Sequence, residues 1–159
     1  MKKIIIILAL TIATTTAFAQ KNPFEKFTDM DGVTSVYISK NMLSLLPKQA
    51  HMQYNGVDVG GFVDKLSSML IITSENKEIA QEMISLANRG IKESNYELLM
   101  RVKSEDGELV NFFMKGKPEN IQELIMIVED EKDESVIMQL LGNFTLQDVQ
   151  QMTNRFNKK

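Results

Sequence analysis

From Tyr96 onward the chain runs in period two, and this alternation constrains the fold more than any other feature. Successive side chains of a β-strand point to opposite faces of a sheet. "YELLMRV" and "ELVNFFMK" flank "SEDG", in which Asp106-Gly107 is a strong hairpin signal. "KPEN" turns the chain into "IQELIMIVED", and the acidic run at 129–134 separates that segment from "SVIMQLLG". Four such segments in succession predict an antiparallel meander. Leu124 to Val128 are all apolar, so the third strand is apolar on both faces and each face needs a cover.

Sorting the alternation gives two unlike faces. One, through Tyr96, Leu98, Met100, Phe112, Met126 and Met138, is apolar throughout and is expected to lie under helices. The other places Leu99, Phe113, Ile125, Ile127, Ile137 and Leu141 in the middle, with Glu97, Arg101, Lys103, Lys115, Glu123 and Glu129 toward the strand ends. An apolar centre with a polar rim is the anatomy of an interface. These six residues are the candidate binding face. Either a protein partner or second copy covers it, or one of the chain's own helices or the 48–62 loop does.

Upstream, Phe24 and Phe27 are spaced for a short helical turn or an arm that docks on the core. "VTSVYIS", residues 33–39, is rich in β-branched residues and reads as a strand. "KNMLSLLP" suits a short helix that Pro47 closes. Residues 48–62 hold three glycines and read as the least regular part of the domain, either a functional loop or a stretch that hides a helical turn. A second strand is expected at 65–73, then a helix capped by Ser74 with Ile79, Met83, Leu86, Ala87 and Ile91 as its buried stripe. In the last helix Thr145 is the expected N-cap, Asp148 completes a capping box and Phe144 staples to Val149. Leu146, Val149, Met152 and Phe156 form its apolar stripe. The order is β-α-β-α-β-β-β-β-α, an α+β two-layer domain with a largely antiparallel sheet and helices on one face.

The N-terminus reads as an export signal. Lys2 and Lys3 precede an apolar run from Ile4 to Leu10, and Ala17-Phe18-Ala19 is a small-x-small cleavage site. Cleavage after Ala19 is expected, so residues 1–19 are a signal peptide and 20–159 a single exported domain in the periplasm or beyond. No cysteine occurs anywhere, which excludes lipid attachment at the new N-terminus. No later stretch reaches the roughly 18 apolar residues of a membrane span, so no stable anchor is expected after cleavage. Loss of Lys2 and Lys3 leaves 16 basic residues against 21 acidic. That balance argues against nucleic acid and against anionic membrane surfaces, both of which select basic patches.

Chemistry-bearing motifs are sparse. Zero cysteines removes thiol catalysis and thiolate metal sites, and the single histidine, His51, removes two-His metal sites and His relays within one chain. "DMDG" at 29–32 resembles a calcium loop, but register with Gly32 puts Ile38 where the closing Glu belongs. "GVDVGG" at 56–61 lacks the Lys-Ser/Thr ending of a phosphate loop. The acidic run reads as a solvated hairpin tip, and the Asn143-Phe144-Thr145 glycosylation pattern is absorbed by the helix cap. From Met30 to Met152 the methionines stand about ten or more residues apart, which fits core filling rather than copper transport. No catalytic residue, metal ligand or cofactor is expected.

"DGVTSVYISKNML", "YELLMRVKSEDGELVNFFMKG", "IQELIMIVED" and "VIMQLLGNFTLQDVQQM" together resemble the Bacteroidetes domain-of-unknown-function family 4252, over about residues 24–156. The resemblance implies a small exported protein without assigned activity. Some family members carry a lipid anchor on a Cys after the signal; this chain lacks that Cys, which favours a soluble periplasmic location.

Three functional classes follow. The first is a non-enzymatic module that binds an unidentified protein partner or a second copy through the candidate face. The second is a module for a small apolar ligand, on the same face or on the loop holding His51 and Tyr54. The third, weakest, is a carboxylate-based hydrolase, since no pair of acids has a distinctive spacing and the chain has no Trp for sugar binding. A role in envelope stress signalling is a further expectation that only gene neighbourhood would support.

Overall fold

The strand order is what positions everything else. The computed structural model describes residues 24–46, 53–54, 57–58 and 60–153. The expected signal peptide, His51 and Phe156 lie outside them. A 3-10 turn at Glu25–Phe27 leads into β1 (Thr34–Ser39) and α1 (Lys40–Ser44). Two-residue strands β2 (Gln53–Tyr54) and β3 (Val57–Asp58) form a small hairpin where a loop or a helical turn was expected, and a 3-10 segment at Gly60–Lys65 follows. Then come β4 (Leu66–Ser74), α2 (Lys77–Glu93), β5 (Glu97–Lys103), β6 (Leu109–Lys117), β7 (Asn120–Glu129), β8 (Ser135–Phe144) and α3 (Leu146–Thr153). Apart from the extra hairpin, the expected order and the α+β class hold.

The six long strands form one antiparallel sheet in the order β1-β4-β8-β7-β6-β5. The meander is present, but β4 pairs with β8, so the chain must travel from β4 to the opposite edge before β5 begins. It does so along α2. At 1.5 Å per residue the 17-residue helix is about 25 Å long. Four strand spacings are about 19 Å. The connection therefore lies across the sheet.

This divides the helices between both faces, where the sequence led us to expect them on one. On one face Leu43, Val63, Val149 and Met152, from α1, the 3-10 segment and α3, pack on Met69, Phe112, Met126 and Met138. On the other, Met83, Ile84, Ala87 and Ile91 of α2, with Phe24 and Phe27 of the N-terminal turn, pack on Leu70, Ile72, Ile125, Ile127 and Ile137. The five-residue apolar run is explained: Leu124, Met126 and Val128 enter the first core and Ile125 and Ile127 the second, all between 0 and 3% exposed.

Local chemistry sets the helix ends. Asn76, rather than Ser74, caps α2: its Oδ1 accepts from the N–H groups of Glu78 (3.0 Å) and Ile79 (3.2 Å). Ser74 ends β4, and its hydroxyl donates to the Gly32 carbonyl at 2.8 Å. Past α2, Asn95 takes a left-handed conformation (φ 56°) and the Tyr96 N–H donates back to the Ile91 carbonyl at 3.4 Å, a Schellman-type stop. The capping box of α3 forms as expected. The Asp148 N–H donates to Thr145 Oγ1 at 3.3 Å, and the Thr145 N–H donates to the Asp148 carboxylate at 2.8 Å.

Candidate interaction surface

The face proposed from the alternation is not free. Ile125, Ile127 and Ile137 are each 0% exposed beneath α2, and Phe113 is half-buried against the same cluster. Leu141 is half-buried opposite Glu123 and Ser68, toward one end of the strands. Leu99 is on the other side of the sheet altogether. A register shift between Leu98 and Met100 bulges β5, so Leu98 faces Phe113 while Leu99 packs with Met100 on the α3 side. A bulge of one residue exchanges faces for everything N-terminal to it, including Tyr96 and Leu98. These six residues therefore do not form an exposed patch; the chain's own helix covers the face.

Four of the polar residues that resembled an interface rim, Arg101, Lys115, Glu123 and Glu129, interact within the molecule. Gln139 Nε2 donates to the Glu123 carboxylate, and the Tyr96 phenol bonds the same carboxylate. Burial, then that hydrogen bond and the Glu123 charge, hold the Tyr96 proton well above the usual phenol range. Lys115 sits 5.5 Å from the centroid of the Tyr96 ring. Farther along the same face, Arg101 Nε donates to Asn111 Oδ1 at 2.7 Å. Burial raises the Glu129 carboxyl above its ordinary value, and Arg101 only partly offsets this. Among the described residues no buried side-chain polar atom lacks a hydrogen-bond partner. No group of three or more His, Cys, Asp or Glu side chains among them is placed to hold a metal ion.

With both faces covered, exposed apolar surface gathers at an edge. Among the described residues six large hydrophobic side chains are exposed: Val36 (45%), Tyr37 (66%), Met42 (57%), Leu45 (77%), Leu98 (45%) and Leu146 (43%). Four of the six lie between Val36 and Leu45, in β1 and the α1 turn after it. Among the described residues β1 pairs only with β4, so its outer backbone groups face away from the sheet. Val36 lies opposite Ile71 on the α3 side and Tyr37 opposite Leu70 on the α2 side, so both faces of this edge carry an exposed apolar group. Ser39 starts α1 by accepting the Met42 N–H at 3.5 Å. That geometry buries Leu43 and leaves Met42 and Leu45 outward.

The two edges of the sheet differ in their chemistry. Exposed edges are usually guarded by charge, proline or a bulge. β5 has the bulge together with Glu97, Arg101 and Lys103. β1, TSVYIS, has no charge, no proline and an unbroken register with β4. The absence of charge and proline in 34–39 was legible in the sequence. That these residues form an edge was not.

A second feature is a cavity of about 630 Å³ between α3 and the β5–β6 hairpin, lined by Leu99, Met100, Phe112, Leu146, Val149 and Thr153, among others. Gln147 and Gln150 contribute its amides, and among the described residues no charged side chain lines it. Its size suits a small organic ligand. Among the described residues no helix is long and apolar enough to cross a membrane.

The family model described as Domain of unknown function (DUF4252) matches residues 24–152, from the buried Phe24 of the N-terminal turn to Met152 of α3. The chain belongs to this family. The match spans both cores and the β1 edge, so the DUF4252 domain and the α+β unit coincide. No curated protein and no solved structure matches the chain. The family description assigns no activity, and no residue role is carried over from it.

Proposed function

We propose that this DUF4252 protein is an exported, non-enzymatic interaction module that takes up another polypeptide along its β1–α1 edge. The observation that carries the reading is the concentration of exposed apolar side chains on an unguarded edge strand. A polypeptide adding beside β1 gains main-chain hydrogen bonds from the edge and apolar contact from the side chains around it. The Lys2-Lys3, Ile-rich and Ala-x-Ala series supports export. Intact-mass analysis of protein from the periplasmic fraction should then give a chain starting at Gln20; a retained Met1 in the membrane fraction would remove that part.

A photo-crosslinking side chain at Tyr37, introduced in the native envelope, tests the edge. It should trap a polypeptide, while the same group at Leu98 on the guarded edge should not. Equal trapping at both positions, or none at Tyr37, would end the reading. The cavity beside α3 favours a second function, binding of an uncharged apolar small molecule. Leu99→Trp, which fills that space, should then abolish binding of a neutral apolar fluorophore while leaving the melting temperature unchanged.

A further inference from the structure

The polypeptide best suited to the β1 edge is a second copy of this chain. We propose that two copies pair β1 against β1 in an antiparallel, two-fold arrangement, with Val36 facing its counterpart across the axis. This rests on the reading that the edge is the interaction surface, and goes further by naming the occupant and the register.

Every neighbouring pair in the six-stranded sheet is antiparallel, and an edge strand related to itself by a two-fold axis normal to the sheet is antiparallel as well. Residues opposed across such a pair must point to the same face. Only registers that set Val36 opposite Val36, or Tyr37 opposite Tyr37, satisfy this near the middle of the strand.

Charge then selects between them and favours a copy over an unrelated charged segment. Thr34–Ser39 carry no charge, so self-pairing opposes no like charges and a charged strand finds no counterpart there. Just outside lie exposed Asp29 and Asp31 at one end and exposed Lys40 at the other. Antiparallel pairing brings the basic end of each copy to the acidic end of the other. Centring on Val36 ends the paired strands with Lys40, the first residue of α1, beside the turn that holds Asp31 and Gly32 of the second copy, and repeats this at the other end. Centring on Tyr37 moves Lys40 to Thr34 and loses the match. Assembly also stops at two, because the edge left outside is β5, with its bulge and mixed charges.

The absence of cysteine makes the test direct. Light scattering on the purified protein at micromolar concentrations should give twice the chain mass. Val36→Lys opposes two like charges at the axis and should weaken association about tenfold or more while the monomer it releases keeps the wild-type circular dichroism spectrum. Leu98→Lys on the other edge should leave the dimer intact. Under mild oxidation Val36→Cys should give a covalent dimer in higher yield than Tyr37→Cys, and Leu98→Cys should give none. A wild-type protein at chain mass throughout, a Val36→Lys protein still doubled, or equal cross-linking at Val36 and Leu98 would overturn the dimer. The photo-adduct at Tyr37 separates the two levels of the argument. An adduct of twice the chain mass supports both, and one with a different protein removes the second copy but keeps the edge. No adduct removes both.

Discussion

Ile125 decides whether α2 covers the sheet, and its substitution can be worked through in advance. It sits in the middle of β7, opposite Phe113 of β6 and Gln139 of β8, is 0% exposed, and shares a core with Met83 and Ala87 of α2. Ile125→Ala removes three carbon groups at about 0.8 kcal/mol each, or about 2.4 kcal/mol of transfer free energy. Two layers of backbone confine the site, so collapse is limited and the cavity lifts the cost to about 4 kcal/mol. At about 4 °C per kcal/mol for a domain of this size, the melting temperature should fall by about 15 °C. Ile125→Val should cost only about 1 kcal/mol. Ile125→Lys adds an unpaired buried charge, costing several kcal/mol more, and the total approaches the whole stability of a typical domain. The variant should not fold. Urea and thermal melts by circular dichroism measure the series. An Ile125→Lys protein that melts within a few degrees of wild type would refute the packing of α2 on this face, and with it the reason for turning to the β1 edge.

The start of α3 offers a smaller and cleaner test. Thr145→Ala should cost about 1 kcal/mol in denaturant titrations and Thr145→Ser close to nothing, since only the hydroxyl is used; equal costs would mean the cap does not hold the helix. Asp148 links the same cap to pH. Burial raises its carboxyl, but hydrogen bonds from Lys65 Nζ (2.7 Å) and from Thr145 outweigh this and leave it below the usual carboxylate range. A carboxyl depressed in the folded state contributes stability that is present above its unfolded value, about 3.9, and is lost as pH falls through the folded one. Asp148→Asn should therefore be less stable than wild type near neutrality, with the gap closing as the pH drops below about 4; a gap that stays constant would exclude the ionised carboxylate as its source.

What was legible in the sequence was local. Asp106-Gly107 marked a turn, period two marked four strands, and Thr145 with Asp148 marked a helix start; each of these signals acts within a few residues. The pairing of β4 with β8 joins residues about seventy positions apart, Leu70 with Gln139 for instance, and no local pattern reports it. The bulge at Leu98–Met100 escaped for a related reason. "ELLM" is apolar at three successive positions, so alternation there reads equally well in either parity, and Leu99 was assigned to the wrong face.

Charged and amide side chains at strand ends fit an interface rim and fit a helix-covered sheet equally well, because each arrangement meets water at the margins of an apolar patch. What separates them is the demand of the remaining elements. The stripe of Met83, Ala87 and Ile91 gives α2 an apolar face about 12 Å long, and a helix with such a face needs a surface to bury it. The expectation of helices on one face set this stripe over the same surface as α1 and α3, which left Ile125, Ile127 and Ile137 bare. Once α2 is laid from β4 to β5, all three become core and Phe24 and Phe27 complete the cover. β1 lies beyond β4, outside the path that α2 takes, and Tyr37 on that side keeps two-thirds of its surface. The crossing that closes the predicted binding face is also what leaves the β1 edge as the place where a further strand can add.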